Sequence, residues 1–365
     1  MPESAAFTAW YLENNMAIHI GLIGGGNITD THARAARAIP GVEIAAIYGT
    51  NPDKLAMLCR EHGGRPYQDF EAFLAHRPMV LVAIGSPSGL HAAHGIAAAQ
   101  RGLHVLTEKP IEINTTRADA LIEATQRHGV KLGVIFQDRV KPGIRQLKDW
   151  ISAGLIGKPL LADACVKWYR PPDYYSQSRW RGTLALDGGG ALINQAIHTV
   201  DLLLWLLGDV VRVRSRTATA LHKIEVEDTA LAILEFSSGA LGVLQATTAA
   251  YPGYPRRLEL TGSEGTVILE HDRIVAANLR NPPPGFSEGA APDENQSATS
   301  PVVSDVRGHQ TIFEDFLQAI ENNTLPVCDG RDGRRSIALV EAIYRAARNS
   351  VSESVVQVSS EPTSS

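Results

Sequence analysis

The sequence predicts an α/β protein of two domains, in which a parallel sheet is followed by an open, largely antiparallel sheet. Up to about residue 140, short apolar strands alternate with helices, which is the pattern of βαβ units. Beyond that point, strand-like segments follow one another through tight turns such as Ser237–Gly239, beside one long apolar helix. This change of pattern in a chain of 365 residues indicates an α/β domain followed by an α+β domain.

The first domain is expected to span residues 16–140. Its strands are almost continuously apolar, as expected for a sheet that helices cover on both faces. The predicted strands are Ala17–Ile23, Val42–Tyr48, Met79–Ile84, Val105–Leu106 and Leu132–Phe136. The helices predicted between them are Thr31–Ile39, Asp53–Glu61, His91–Gln100 and Arg117–His128.

The second domain is expected to span residues 141–350. Its predicted strands are Leu160–Trp168, Val211–Ala220, Asp228–Phe236, Ala240–Ala249, Arg257–Thr261 and Thr266–Glu270. Its predicted helices are Ile144–Ala153, Ala191–Leu207, Thr311–Glu321 and Gly333–Asn349. Polar loops are expected at 173–185 and 281–305. Residues 1–15 form an N-terminal extension, and the composition of the tail at 351–365 predicts disorder.

Composition excludes several classes of protein. The net charge is −5 and the Lys and Arg residues are scattered, so the basic stripe of a nucleic-acid-binding protein is missing. Cys59, Cys165 and Cys328 are too far apart for a disulfide framework or a zinc knuckle, which fits a reducing compartment. Polar residues interrupt the longest apolar stretch, Ala191–Leu207, so no membrane span is expected. We therefore expect a cytoplasmic protein without a metal site, whose partner is a small molecule or another subunit.

A glycine-rich segment joins the first predicted strand to the first helix. It matches G-x-G-x-x, with Thr29 at the position of the usual third glycine. Gly24 would allow the tight turn, and Gly26 would let the backbone approach a pyrophosphate. A purely structural turn is the alternative, but the position between strand and helix favours a dinucleotide-binding Rossmann site. The candidate ligands in this segment are Gly24, Gly26, Asn27 and Ile28.

The end of the second strand selects between NAD and NADP. An NAD enzyme usually has an acidic residue there to bind the ribose hydroxyls, and this sequence has Gly49, Thr50 and Asn51 instead. Thr50, Asn51 and Lys54 could hold a 2′-phosphate. NADP is therefore slightly favoured, while the nearby Asp53 keeps NAD open.

Two further segments follow strands of the same sheet. Ligands of open α/β sheets bind outside the carboxyl ends of the strands, so both segments should lie near the nicotinamide. The candidate cofactor ligands there are Ser86, Pro87, His91, Glu108, Lys109 and Pro110, together with Gln137 after the last strand.

Lys109 is the first candidate for proton transfer, because burial or a positive nicotinamide ring would lower its pKa. The alternative is a solvated lysine at a strand end. The long helix offers the second candidate. Asn194, His198 and Asp201 share one stripe with Trp205, and polar groups on a buried helix face a cleft or each other. A structural hydrogen-bond network is the alternative interpretation of this stripe.

An aromatic and basic segment completes the predicted site. Aromatic faces with arginine donors suit sugar rings, which combine apolar C–H faces with many hydroxyls; a packed aromatic loop is the alternative. The candidate substrate ligands are Trp168, Tyr169, Arg170, Trp180 and Arg181, with Asn194, His198 and Asp201 on the long helix.

The segments Trp168–Arg170 and Trp180–Gly182 look like those of sugar-acting members of the Gfo/Idh/MocA family of oxidoreductases, and four motifs resemble the family as a whole. They are Gly24–Ile28, Ser86–His91, Glu108–Pro110 and Gly188–Asp201, and the resemblance extends from about Ala17 to Asn349. It implies that Lys109 and His198 occupy the family's catalytic lysine and histidine positions. It also implies a homodimer or homotetramer formed through the C-terminal sheet. Asn194 stands where inositol dehydrogenase-like members have Asp, and an amide cannot take a proton.

The expected function is therefore hydride transfer between NAD(P) and a ring hydroxyl or ketone of a sugar, glycoside or polyol. A cofactor-recycling glycoside-cleaving enzyme and a dihydrodiol dehydrogenase are alternatives on the same fold. A dinucleotide-sensing regulator is the non-catalytic alternative, which the presence of both Lys109 and His198 disfavours.

Overall fold

The computed structural model describes residues 17–283 and 305–349. The predicted extension at 1–15, the tail at 351–365 and most of the predicted loop at 281–305 lie outside these ranges. Among the described helices, none is long and apolar enough to cross a membrane.

The first sheet has six parallel strands in the order β3-β2-β1-β4-β5-β6, which is the strand order of a Rossmann domain. Its strands are β1 Ile18–Ile23, β2 Val42–Tyr48, β3 Arg65–Tyr67, β4 Leu81–Ile84, β5 His104–Glu108 and β6 Leu132–Ile135. The accompanying helices are α1 Asn27–Arg37, α2 Pro52–His62, α3 Phe70–Leu74, α4 His91–Gln100 and α5 Thr115–Arg127. The predicted alternation of strands and helices is confirmed. β3 was not predicted, because three residues with a proline at the centre show no periodicity.

The second sheet has seven strands in the order β13-β12-β11-β7-β10-β9-β8, and its pairs are antiparallel except for β7 with β10. Its strands are β7 Pro159–Lys167, β8 Val210–Ala218, β9 Thr229–Phe236, β10 Leu241–Thr247, β11 Arg257–Gly262, β12 Gly265–Glu270 and β13 Arg273–Leu279. The remaining helices are α6 Pro142–Ser152, α7 Pro172–Ser176, α8 Ile197–Leu207, α9 Arg307–Glu321 and α10 Gly330–Asn349. The predicted open, largely antiparallel sheet is confirmed. The short α7 lies in the segment predicted as a loop, and Pro172 suits its first turn.

The predicted helix at 191–207 is two elements. Ala191–Gln195 forms a π-helical turn, in which the N–H of Ala196 donates to the carbonyl of Ala191, and α8 begins at Ile197. A π turn holds more residues than an α turn, so it rotates the side chains before it relative to those after it. Asn194 therefore does not share one stripe with Asp201, as an uninterrupted helix would require.

The two C-terminal helices return to the first domain. Phe313 and Phe316 of α9 belong to the same apolar cluster as Ile20 of β1. Just after α9, the carbonyl of Cys328 accepts a hydrogen bond of 3.0 Å from the N–H of Val134 in β6. The last described segment thus covers the β6 edge of the Rossmann sheet, although it follows the second sheet in the sequence.

A buried ion pair fixes α8 against the end of the Rossmann sheet. Arg139, which follows β6, is 1% exposed and binds both oxygens of Asp201 at 2.6 and 2.8 Å. Its third nitrogen donates to Asp332 of α10 at 2.8 Å and to the Val327 carbonyl at 2.9 Å. The prediction that Asp201 binds substrate is therefore wrong. Its carboxylate is 1% exposed and balances a buried guanidinium, as a buried charge requires.

We expect Asp201→Asn to lower the free energy of unfolding by about 3 kcal/mol, because it leaves the buried Arg139 cation without its main counter-ion. Denaturant unfolding measures this value. Glu123→Gln is the matched control, since Glu123 pairs with Arg127 at the surface and both side chains are at least 66% exposed. The control should change the free energy by less than about 0.5 kcal/mol. Equal small losses for both variants would contradict this role of Asp201.

Candidate active site

The glycine-rich segment between β1 and α1 has the form of a phosphate-binding loop. Gly24 has φ +135°, and a Cβ there would lie 2.6 Å from Thr29 Oγ1, so only glycine fits. A Cβ at Gly26 would meet no atom within 4 Å among the described residues. In the same part of the chain, no side chain caps the start of α1. The space beside Gly26 is open, and Asn27–Ile28 form the uncapped N-terminus of a helix. Both features fit the pyrophosphate of a dinucleotide.

The segment after β2 lies beside this loop at the surface. The Cα of Gly49 is close enough that a Cβ there would lie 3.2 Å from the carbonyl of Gly24. Thr50, Asn51 and Lys54 are exposed. Asn51 Oδ1 accepts a hydrogen bond of 3.0 Å from the N–H of Lys54 and so caps α2. The Thr50 hydroxyl, the Asn51 amide nitrogen and the Lys54 ammonium group are donors that this segment presents.

His91 joins two loops of the Rossmann sheet. Its Nδ1 lies 2.8 Å from the carbonyl of Pro110 and its Nε2 lies 2.9 Å from the carbonyl of Ser86. The ring is 1% exposed, so the prediction that His91 binds the cofactor is wrong. It positions the Ser86–Pro87 and Lys109–Pro110 segments instead. Ser86 Oγ bonds His94 Nδ1 at 2.9 Å, and the Lys109–Pro110 peptide bond is cis.

Glu108 is also turned away from the cleft. Its Oε1 lies 3.0 Å from His32 Nε2 and 3.4 Å from His309 Nε2, so it ties β5 to α1 and α9. Burial raises the pKa of Glu108, but hydrogen bonds from His309 and His32 hold that pKa well below its usual range. The prediction that Glu108 binds the cofactor is therefore wrong. Its Oε2 accepts from the N–H of Lys109 at 3.1 Å and so orients the lysine.

The same trio could in principle ligate a metal ion, since its three ligand atoms lie within 4.8 Å of one another. A metal-ligating histidine normally donates its other ring N–H to a partner. Within the described chain, Nδ1 of His32 and of His309 has no such partner. The geometry of these three residues therefore fits two imidazole N–H groups that donate to one carboxylate better than it fits a metal site.

Lys109 reaches from the Rossmann sheet into the second domain. Its Nζ donates a hydrogen bond of 3.1 Å to the backbone carbonyl of Asn194, in the π turn before α8. Burial lowers the pKa of Lys109, and the negative charges of Glu108, Asp187 and Asp138 oppose this effect. A lowered pKa increases the share of lysine in the unprotonated form, which can accept a proton.

His198, in the first turn of α8, lies beside Lys109. Its Nδ1 is 3.7 Å from Asp138 Oδ2, and that carboxylate also binds Arg256 at 2.8 Å and Lys141 at 2.7 Å. Burial lowers the pKa of His198 to about 3, against the opposing charge of Asp138. The imidazole is therefore neutral at physiological pH and suits hydrogen bonding to a hydroxyl better than accepting its proton.

A chain of side-chain hydrogen bonds runs from the lysine site to the aromatic segment. Arg170 Nη2 donates to Gln195 Oε1 at 2.9 Å, and Gln195 Nε2 donates to Asn194 Oδ1 at 3.0 Å. Asn194 Nδ2 donates to Asp187 Oδ1 at 2.5 Å, and Asp187 Oδ2 accepts from the N–H of Gly182 at 2.8 Å. This series of hydrogen bonds connects two of the predicted substrate ligands, Arg170 and Asn194, through Gln195.

The predicted aromatic and basic residues surround Tyr174. The guanidinium of Arg181 lies 4.2 Å from the centre of the Tyr174 ring and that of Arg170 lies 5.4 Å from it. Arg170 also lies 5.3 Å from the Trp168 ring, and Arg181 lies 5.5 Å from the Trp180 ring. The partly exposed Tyr169 packs edge-on against Tyr251 at 5.3 Å.

Two buried polar atoms point to a ligand. Trp168 Nε1 and Gln137 Oε1 have no hydrogen-bond partner among the described residues. A buried donor or acceptor normally has a partner, so these atoms fit bound hydroxyl or amide groups.

The glycine run before the π turn approaches the protein itself, not a ligand. A Cβ at Gly190 would collide with the carbonyl of Glu227, and a Cβ at Gly189 would collide with the Tyr344 hydroxyl. Glu227 accepts hydrogen bonds from the N–H groups of Gly190 at 3.0 Å and Leu192 at 2.9 Å. The glycines therefore let Glu227 fix the start of the π turn.

Sequence reasoning missed Asp138, Asp187 and Glu227. Asp138 directly precedes Arg139 and follows Gln137, so its place at a strand end was a usable signal. Asp187 precedes the glycine run, which was another. Glu227 lies 37 residues from the backbone N–H that it binds, and no local pattern indicates that contact.

Comparison with known proteins identifies the family. Residues 18–136 match the profile described as "Oxidoreductase family, NAD-binding Rossmann fold", and residues 144–268 match the "GFO/IDH/MocA C-terminal domain". A myo-inositol 2-dehydrogenase of Thermotoga maritima is 29% identical over 72% of this chain and 78% of the relative. A D-apiose dehydrogenase of Paraburkholderia graminis is 28% identical over 90% of this chain and 87% of the relative.

A solved structure supports the same assignment over the whole fold. The WlbA dehydrogenase from Bordetella pertussis, in complex with NADH and UDP-GlcNAcA, is 33% identical and superposes with a TM-score of 0.83. The match covers 92% of this chain and 97% of that chain. The resemblance inferred from the motifs is thereby confirmed, and the chain belongs to the Gfo/Idh/MocA family of oxidoreductases.

Proposed function

We propose that the protein oxidises a ring hydroxyl of a sugar, glycoside or polyol, or reduces the corresponding ketone, with Lys109 exchanging the hydroxyl proton. The observation that carries this proposal is the contact of Lys109 with the π turn at Asn194, which places the lysine beside His198. When bound, the nicotinamide accepts or supplies the hydride. Gly24, Gly26, Asn27 and Ile28 would hold the pyrophosphate.

The residues of this chain divide the remaining tasks. In the oxidative direction, neutral Lys109 takes the hydroxyl proton as the carbon loses hydride, and the product is a ketone and an ammonium group. The Asn194 carbonyl holds Nζ in place during this exchange. Neutral His198 hydrogen-bonds the same hydroxyl and orients it. The reductive direction reverses each transfer.

The substrate favoured by the site is an acidic sugar. Arg170 and Arg181 both lie against the Tyr174 ring, and their mutual repulsion contributes to lowering the pKa of Arg170 after the larger effect of burial. A carboxylate or phosphate offsets two clustered guanidinium groups, and aromatic faces accept the apolar side of a pyranose. UDP-GlcNAcA, the ligand of the WlbA dehydrogenase, combines these features and is the first compound to assay.

We expect Lys109→Ala to lower kcat by about 100-fold or more, because it removes the general base. Dinucleotide affinity, measured by fluorescence titration, should stay within about threefold, because the phosphate-binding loop is intact. Steady-state formation of NAD(P)H with UDP-GlcNAcA and a panel of sugars and polyols measures the rate. Net accumulation of NAD(P)H also separates a dehydrogenase from an enzyme that cleaves glycosides and recycles its cofactor.

The matched control is Lys131→Ala. Lys131 directly precedes β6, so it lies at the amino ends of the strands, whereas Lys109 follows the carboxyl end of β5. The control should retain wild-type kcat. Full activity of Lys109→Ala would refute the proton-transfer role.

We propose that NADP is slightly favoured as the dinucleotide and that NAD is also bound. The segment after β2 presents no carboxylate before Asp53 and offers the donors of Asn51 and Lys54. The NADH bound by the WlbA dehydrogenase supports the acceptance of NAD by this fold.

Lys54→Ala should weaken NADP+ binding by about fivefold, the value of an exposed ion pair, and leave NAD+ binding unchanged. Parallel titrations of both dinucleotides measure this ratio. A loss of affinity that is equal for the two would show that Lys54 does not bind a 2′-phosphate.

We also propose that a second copy of the chain covers the outer face of the second sheet, giving a homodimer or a homotetramer. Four large apolar side chains on neighbouring strands are about half exposed there, at 50 to 53%. They are Leu161, Leu231, Ile233 and Leu241. An exposed apolar patch of this kind marks an interface.

The charges on this face are self-complementary. Arg214 and Arg216 lie on β8 at one side, and Asp163 lies across the apolar centre on β7, beside Glu259 of β11, which also pairs with Arg257 at 3.0 Å. A two-fold axis through the centre would place the arginines of each copy over the carboxylates of the other. The three free cysteines fit a cytoplasmic location for this assembly.

Ile233→Asp should convert the oligomer to monomers in light scattering, because it buries an unpaired charge in the interface. Leu325→Asp is the control, since Leu325 is 73% exposed and lies outside the sheet. An unchanged mass for Ile233→Asp would place the interface elsewhere.

A further inference from the structure

Asp187 ends the hydrogen-bond chain that joins the arginine segment to the lysine site. Its carboxylate is 2% exposed and accepts two hydrogen bonds, one at each oxygen, from Gly182 and Asn194. The backbone carbonyl of Asn194 in turn accepts a hydrogen bond from Lys109 Nζ. Asp187 is thus connected to Lys109 through Asn194, whose side chain binds the carboxylate and whose backbone carbonyl binds the lysine.

We propose that Asp187 is a positioning residue of this site, which fixes the side-chain amides of Asn194 and Gln195 and supplies one of the negative charges that act on Lys109. The proposal deepens the proposed function and rests on it for its catalytic consequence.

The two ends of the chain determine its direction. A carboxylate only accepts hydrogen bonds and a guanidinium only donates them. Asp187 therefore requires the amide nitrogen of Asn194, and Arg170 requires the amide oxygen of Gln195. The remaining bond then runs from Gln195 Nε2 to Asn194 Oδ1, as the structure has it. Each amide has one allowed orientation while both charged ends are present.

The charge of Asp187 also acts on Lys109. Burial is the main effect on the pKa of Lys109 and lowers it, while the negative charges of Glu108 and Asp187 are the two largest effects that raise it. Glu108 is already bound by His32 and His309. Burial raises the pKa of Asp187 itself to about 6, so at neutral pH the carboxylate is ionised.

Asp187→Asn removes the charge with little change in volume. Gly182 and Asn194 donate to different oxygens of Asp187, and an asparagine replaces one of these oxygens with an NH2 group that faces a donor. The double variant Asp187→Asn/Asn194→Asp exchanges the two groups. Its new amide can accept from Gly182 and donate to the new carboxylate, which also accepts from Gln195. The exchange keeps every hydrogen bond of the chain and the net charge.

The test compares the wild-type protein, Asp187→Asn and the double variant by two measurements. The first is acetylation of Lys109 by acetic anhydride in the cofactor-free protein across a range of pH, followed by peptide mass spectrometry. It reports the pKa of Lys109 without any substrate. We expect that pKa to fall in Asp187→Asn and to recover in the double variant.

The second measurement is the pH profile of kcat/KM for a sugar that the wild-type protein oxidises. Asp187→Asn should lower kcat/KM by about tenfold, the effect of one unsatisfied buried group, and shift its acidic limb to lower pH. The double variant should regain most of the lost rate. A purely structural role for Asp187 would lower the rate without moving the limb.

An unchanged labelling profile in Asp187→Asn overturns the proposal, whether or not the double variant folds. A labelling shift in a protein that oxidises none of the sugars supports the role of Asp187 and refutes the proposed function instead. The two failures are thus distinguishable.

Discussion

The ion pair between Arg139 and Asp201 is the contact on which the geometry of the site depends. Arg139 follows the last strand of the Rossmann sheet, and Asp201 lies one turn beyond His198 in α8. The pair therefore fixes the distance between a strand end and the helix that carries the histidine. Asp332 binds the same guanidinium and adds α10 to the assembly. Burying the two charges has a desolvation cost, and the pair specifies one arrangement of the three elements.

Burial then sets the chemistry of the groups that this arrangement brings together. It lowers the pKa of Lys109 and the pKa of His198, so both lose their protons more readily than in water. The negative charges of nearby carboxylates oppose the lowering of the lysine pKa, and they stabilise the ammonium form once the lysine has taken up a proton. Imidazoles, backbone N–H groups and an amide hold Glu108 and Asp187, and two cationic side chains hold Asp138. This arrangement supports the proposed role of Lys109 as proton acceptor, beside a neutral imidazole at His198.

The sequence was sufficient for the fold class and for the residues that motifs expose. The alternation of strands and helices predicts the Rossmann sheet, and the glycine positions follow from a turn that only glycine can form. The sequence was insufficient where a contact is distant. Asp201 looks like a cleft residue because its partner Arg139 lies 62 positions earlier. Glu108 looks like a cofactor ligand because His309 is far along the chain. The π turn at Ala191–Gln195 has no periodic signal of its own, and it rotates Asn194 relative to Asp201.

The most direct test of the account is a crystal structure of the protein with a dinucleotide and a sugar that it oxidises. The account predicts the pyrophosphate at Gly24–Ile28 and the reacting hydroxyl within hydrogen-bond distance of Lys109 Nζ. It also predicts that His198 contacts the same hydroxyl and that the sugar lies against the aromatic segment around Tyr174. A sugar bound with its reacting hydroxyl remote from Lys109, beside a correctly seated dinucleotide, would contradict the central claim.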